Sequence, residues 1–264
     1  QKIGFWRWIW ILKLAVWRGL FGRLPKYLVL EYGADHPGDI EKLAQKLALD
    51  AAIITLIGPA HLANYPSIEA LIEEKKKIFD AVKKGGWGLV NANDPYASQL
   101  QVEDCPIGAV VTETEDIAPN FARAVGKKLK IAPDIIEDAL SAMPHPEGRL
   151  QLKDLGAVKL LDDSYNANPL SMEAAFSVLA KLPGRKVAIL GDMLELGPDE
   201  RKFHQEIGLI AKQSADLVIG VGELAKEYGA AEHFPDSTIA SREVLSHLGQ
   251  GDSILVKGSH GAHM

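Results

Sequence analysis

The chain has 264 residues, 47% of them hydrophobic and 24% charged, a globular composition that excludes extended disorder and has room for one large domain or two ordinary ones. Its net charge of -6 gives no overall pull on phosphate backbones, and no local basic patch offsets it, so nucleic-acid binding is not expected. The single cysteine, Cys105, excludes an internal disulfide framework and fits a reducing compartment.

The first distinctive stretch is "FWRWIWILKLAVWRGLFGRL", residues 5–24, which holds four of the five tryptophans and the cations Arg7, Lys13, Arg18 and Arg23. A membrane-spanning helix needs about 20 mostly apolar residues, and these interspersed charges break every long apolar run. They also do not precede an apolar block, as a secretory signal requires. Wound as a helix, the stretch does not gather its cations on one face. The reading adopted is a helix inserted in a domain, with membrane-surface contact through residues 5–22 as the alternative.

"KYLVLEYG" (26–33) then reads as a buried strand, "GDIEKLAQKLA" as a helix and "AAIITLIG" as the next strand. "SIEALIEEKKKIFDAVKKGG" reads as a helix capped by Ser67 and stopped at Gly85 and Gly86, followed by the strand "WGLVNAND". "IGAVVT" adds a strand, and "NFARAVGKKL" and "PDIIEDALSAM" add helices. The Pro/Gly-rich joint "PHPEGR" (144–149) interrupts the pattern and divides the chain into two domains, 1–146 and 147–264. Beyond it come the strand "AVKLLDD", the helix "PLSMEAAFSVLAKL", the strand "RKVAIL", the helix "DERKFHQEIGLIAKQ", and the strands "DLVIGVG" and "DSILVKG". Such strand-helix alternation predicts an α/β fold with parallel sheets in both domains.

In open parallel sheets ligands bind beyond the carboxyl ends of the strands. Glu31, His61, Asp162, Asp163, Asp192 and Lys257 fall at such ends. Glu31 and His61 offer an oxygen and a nitrogen ligand, and few protein carboxylates is how Mg²⁺ is commonly held. "LLDDSYNANPLSM" places acids, an aromatic and amides ahead of a proline-started helix, a loop suited to ribose hydroxyls or anions. "KGS" offers an ammonium and a hydroxyl for a carboxylate or phosphate, with a solvated turn as the competing reading. No G-x-x-x-x-G-K-[ST] loop occurs anywhere in the sequence.

Taken together, "LVLEYGADHPGDI", "GPAHLANYPSIEALIEEKKKIF", "VNANDP", "EGRLQ", "LLDDSYNANPLSMEAA", "VAILGDMLELG", the histidine of "FHQEIG" and "ILVKGS" occur in the order found in the Mur ligases, and the chain resembles that family from about residue 26 onward. "DSYNANP" and "GDMLELG" are the forms of the branch that joins D-alanyl-D-alanine to UDP-N-acetylmuramoyl-tripeptide. The resemblance implies a partial P-loop-type central ATPase domain, here without the P-loop, followed by a Rossmann-like C-terminal domain. It also implies an ATP- and Mg²⁺-dependent amide ligase of peptidoglycan precursor synthesis in the bacterial cytoplasm, expected as a monomer. ATP would phosphorylate the acceptor's carboxylate, and the dipeptide amine would attack the resulting acyl phosphate.

By matched position the resemblance implies that Glu31 and His61 hold Mg²⁺ and that Lys75 is the lysine carbamoylated in this family. It places Arg149 at the nucleotide phosphates, Asp163 at the ribose and Asn120 at the adenine. Asn166, Asn168, Lys257 and Ser259 fall where the amine substrate and the tetrahedral intermediate bind. Two positions depart from the family pattern: Lys77 stands where an acid is usual, and "DIAPN" replaces the His-Asn ahead of the adenine-contacting Asn. With the ordered motif set present but the family's N-terminal domain and P-loop not found in it, the chain is expected to be part of a longer ligase and inactive alone. The alternatives are a sibling ligase with another amine substrate, or a non-catalytic module with an aromatic membrane-surface helix.

Overall fold

The computed structural model describes Lys13 and residues 25–58, 62–112, 117–144 and 146–264. The inserted helix expected over 5–24 lies, apart from Lys13, outside the described residues, as does His61. Residues 1–33 and 34–264 form two separate compact units.

In the first unit the expected strand over 26–33 is absent: its described residues carry no strand pairing, and Tyr27, Leu28, Val29 and Leu30 are between 46% and 93% exposed. An apolar run becomes a strand only when a neighbour takes up its backbone hydrogen bonds, and no described residue does so.

The second unit holds two sheets. The smaller is parallel, in the order β1 (Leu49–Ile54), β2 (Val82–Asn91), β3 (Ile107–Val110). A short helix α1 (Asp39–Ala44) precedes β1, and α2 (Ile68–Lys76) links β1 to β2. Ser67 caps α2 by accepting the Ala70 amide, as its sequence position predicts. The helix is shorter than its apolar pattern suggested. It tightens into a 3-10 turn at Lys77–Ala81, and the "VKKGG" segment joins β2 instead, next to an irregular register against β1. Ile54, Ile57, Ile72, Phe79, Val90 and Leu100 close one core, while α3 (Ile117–Lys128) sets Phe121 against Leu89 and Val110. α4 (Pro133–Ser141) packs on α3.

The larger sheet has the order β4-β5-β9-β6-β7-β8, with β4 (Gln151–Asp154) antiparallel to β5 (Lys159–Asp163). The remaining pairings, among β5, β6 (Lys186–Gly191), β7 (Leu217–Val221), β8 (Glu232–Phe234) and β9 (Ser253–Lys257), are parallel. Alternate residues of each strand serve opposite faces. Leu161, Ala188, Leu190 and Leu255 meet α5 (Pro169–Ala180) and α6 (Glu200–Ser214), whereas Val187, Ile189, Ile219 and Ile254 meet Ala240 of α7 (Ser237–Glu243). Covering both faces is what makes these strands continuous apolar runs. The result is the mixed α/β architecture expected from the alternation.

One close approach fixes the packing of α6. Gly208 lies directly against the Tyr228 backbone, where an added Cβ would fall 2.6 Å from Tyr228 Cα. Gly126 of α3 instead faces the end of the Ile136 side chain, which can turn away. Alanine gains about 1 kcal/mol over glycine in a helix, and overpacking against backbone costs about 1–3 kcal/mol or more. Gly208→Ala is therefore expected to lower unfolding free energy by roughly 1–2 kcal/mol in urea titrations, and Gly126→Ala to change it by less than about 1 kcal/mol. Equal effects would contradict this packing.

Candidate functional site

β5 and β9 run parallel with Asp163 and Lys257 in register at their carboxyl ends. Lys257 is 2% exposed, and its ammonium donates to Asp163 Oδ2 at 2.5 Å and to the Asn166 carbonyl at 2.8 Å. Asp163 Oδ1 accepts the Leu150 amide at 3.0 Å. Burial raises the Asp163 pKa and lowers that of Lys257, and their direct contact opposes both shifts. The charged pair, with a backbone carbonyl for the ammonium and a backbone amide for the carboxylate, offsets the cost of burying both charges.

The loop from Asp163 to α5 carries the two candidate amides. Asn166 is exposed, with Oδ1 accepting the Ala167 amide at 2.9 Å. Asn168 is the N-cap of α5 in a reciprocal capping box with Ser171. Ser259, buried just beyond β9, accepts the Leu194 amide at 2.8 Å and donates to the Ala167 carbonyl at 3.3 Å. Its hydroxyl therefore ties the 192–196 loop to the 164–168 loop. Two of the strand-end acids are occupied locally. Asp162 accepts from Lys153 and Ser164, and Asp192 accepts the Ala225 amide at 2.7 Å.

Sequence reasoning noted His204 inside a motif without giving it a role. Fully buried, it accepts the Met193 amide at Nε2 (2.9 Å), and its Nδ1–H donates to the Glu200 carbonyl (2.7 Å), which fixes the neutral Nδ1–H tautomer. Its ring lies 5.0 Å from that of Tyr228, whose hydroxyl donates to the Gly191 carbonyl at 2.9 Å. The loop after β6 is thus pinned at Gly191, Met193 and Leu194. That loop meets the smaller-sheet half through the Glu195 carbonyl, which accepts the Ala63 amide at 3.4 Å.

On the smaller-sheet side Lys75 is half-buried on α2 and donates to the Leu56 carbonyl at 3.3 Å. Burial lowers its pKa, and the charge of Asp94 works in the opposite direction. Asp94, another residue that motif reading passed over, accepts the Ile57 amide at 2.5 Å and the Tyr96 amide at 2.8 Å. Lys77 bridges Glu74 (3.0 Å) and Glu41 (3.1 Å), and Glu74 accepts the Ile40 amide. Asn120 sits on α3, where its Oδ1 accepts from Arg123, a residue also paired with Glu137 of α4. Glu31 is exposed in the separate first unit and His61 is outside the described residues. Among the described residues no three His, Cys, Asp or Glu side chains cluster as a metal site.

The structure thus brings together Asp163, Asn166, Asn168, Lys257 and Ser259, with Arg149 on the adjoining turn. Residues 21–127 match the Mur ligase middle domain, and residues 148–260 match the family described as Mur ligase, glutamate ligase domain. The UDP-N-acetylmuramoyl-tripeptide--D-alanyl-D-alanine ligase of Escherichia coli (strain K12) is 30% identical over 286 residues, covering 90% of this chain and 63% of its own length. Its namesake from Bacillus subtilis (strain 168) is 30% identical over 280 residues, covering 88% and 61%. A crystal structure of MurF from Acinetobacter baumannii matches the fold with a TM-score of 0.81 at 24% identity, covering 90% of this chain and 63% of that one. The MurF ligase of Thermotoga maritima in complex with ADP matches with a TM-score of 0.78 at 23% identity, covering 89% and 64%. The chain spans a little over 60% of the length of these relatives.

Burial lowers the His204 pKa below its ordinary 6.5, so the folded protein holds this ring neutral while the unfolded chain protonates it. Its contribution is fully present above pH 6.5 and is lost as the pH falls from there toward the lower folded value. Melting temperatures followed downward from neutral pH should drop more steeply for the wild type than for His204→Gln. Parallel slopes would show that this ring does not set the acid sensitivity.

Proposed function

The chain belongs to the Mur ligase family, whose middle and C-terminal domains it carries, and from that premise we propose that it is the corresponding part of an ATP-dependent ligase joining D-alanyl-D-alanine to UDP-N-acetylmuramoyl-tripeptide. The observation that carries this reading is the convergence of Asp163, Asn166, Asn168, Lys257 and Ser259 at one carboxyl edge. Its named relatives from Escherichia coli and Bacillus subtilis support the choice of substrates.

In this reading the residues divide their work. Each Asp163 oxygen keeps an unused lone pair, so the carboxylate can accept a ribose hydroxyl while holding Lys257. Arg149 offers a guanidinium to phosphate oxygens. Asn166 presents an exposed amide to the incoming dipeptide. Asn168, Lys257 and Ser259 shape the loops through the hydrogen bonds of Asn168 Oδ1, the Lys257 ammonium and the Ser259 hydroxyl, at the edge where the amine would sit. Holding amine and activated carboxyl in one orientation contributes most of what such a site can supply without a nucleophile of its own. Asn120 is assigned to the adenine. Turnover also requires a phosphate-cradling loop that this sequence does not contain, so the chain alone is inactive.

By matched family position, Mg²⁺ is assigned to Glu31, His61 and Lys75. A carboxylate and a carbamate are hard oxygen donors that suit the ion, which would supply charge neutralisation at the phosphates. A lysine becomes a carbamate by attack of its neutral amine on CO₂. The burial of Lys75 favours that neutral amine.

Two measurements test this reading. Calorimetric titration should detect D-alanyl-D-alanine binding that Asn166→Ala weakens about tenfold, roughly 1.4 kcal/mol, with no binding of the L,L dipeptide. Failure of D-alanyl-D-alanine to bind would sink the assignment. In ¹³C-bicarbonate, a carbamate resonance should appear for the wild type and vanish in Lys75→Arg. A resonance that persists in the variant would move the modification elsewhere.

A further inference from the structure

Arg149 occupies an unusual setting for a residue assigned to bind an anion. It is exposed, and among the described residues its guanidinium makes no hydrogen bond or ion pair. Its guanidinium lies over the ring of Tyr165, whose centroid is 4.2 Å from Arg149 Cζ. Its charge favours the Asp163 carboxylate and disfavours the Lys257 ammonium.

The surrounding backbone is built to keep this stack. The Tyr165 amide donates to the Gly148 carbonyl at 2.9 Å, and the next turn is anchored by the Leu150 amide on Asp163. Gly148 has φ +65°, and a Cβ there would fall 3.0 Å from the Tyr165 nitrogen, so glycine is what permits the two turns to touch. Leu150 sits at φ +50°, a conformation that costs a non-glycine residue about 1 kcal/mol and that its hydrogen bond to Asp163 helps maintain. On the far side Ser164 is fixed by two hydrogen bonds to Asp162. The Tyr165 ring, itself 49% exposed, also has the His260 ring 6.0 Å away.

We propose that Tyr165 is the positioning residue for Arg149: its ring holds the guanidinium flat, leaving the N–H edge pre-aimed at a phosphate-type oxyanion. This rests on the assignment of Arg149 to nucleotide phosphates. A long arginine side chain loses rotamer freedom when it binds, and stacking it beforehand removes part of that cost. At an exposed site the stack should change affinity about two- to five-fold.

The probe is inorganic pyrophosphate, titrated into the whole chain while the Arg149 Nε resonance is followed by NMR. Tyr165→Phe should keep wild-type affinity and Tyr165→Trp should match or exceed it, because both rings retain a π face. Tyr165→Leu should weaken binding two- to five-fold and remove the ring-current shift of Arg149. Equal affinity for the Leu and Phe variants would overturn the positioning role while leaving Arg149 as the anion contact. Unchanged binding in Arg149→Ala would overturn the anion assignment itself, and the positioning role with it. Should the Leu variant fail to fold, Tyr165→Ala takes its place with the same expected loss, and weakened binding in Tyr165→Phe, which keeps the π face, would overturn the positioning role.

Discussion

The constraint on which this structure turns is a buried ammonium. Lys257 ends a central strand at 2% exposure, and a lysine there is tolerable only with a counter-charge and further acceptors. Asp163 supplies the charge and Asn166 a carbonyl, so β5 and β9 must keep their register and the 164–168 loop must turn back over the strand ends. Asp163 in turn anchors Leu150, which brings the Gly148–Arg149 turn to the same edge. Removing one partner of such a pair costs about 3–5 kcal/mol, whereas replacing both by apolar groups is often neutral. The pair is therefore better understood as a device for placing loops than as a source of stability.

A second set of hydrogen bonds extends that placement. Ser259 ties the loop after β6 to the loop after β5, and His204 with Tyr228 pins the former from below. The pinned loop reaches the smaller-sheet half at Ala63, two residues past His61 in sequence. Across that half, Asp94 fixes the Ile57 backbone while Lys75 reaches the Leu56 carbonyl. Asp163, Lys257 and Ser259 thus stand on backbone held by buried polar partners, the support a site needs to keep its geometry.

The central elements were legible because their signal is local. Short β-branched runs such as "KVAIL" and "LVIGV" read as strands buried on both faces, and Ser67 and Asn168 stand at helix starts with capping chemistry. β4, β8 and α7 were missed because short edge elements carry little periodic pattern. The strand expected over 26–33 failed for the opposite reason: its pattern is strong, but pairing is a property of a neighbour. At the site, Asp163 and Lys257 could be suspected from their strand-end positions, whereas their mutual contact could not. Tyr165, Asp94 and His204 escaped assignment since each acts through a partner distant in sequence or across a turn.

The central proposal is that nucleotide engages this chain at the carboxyl edge organised by Lys257 and Asp163. Hydrogen-deuterium exchange of the chain with and without saturating Mg·ADP tests it most directly. The account predicts added protection at the amides of residues 148–150 and 163–168, which line that edge. Absence of protection there, or protection centred on the shallow cleft of Phe79, Val82 and Val102, would contradict it.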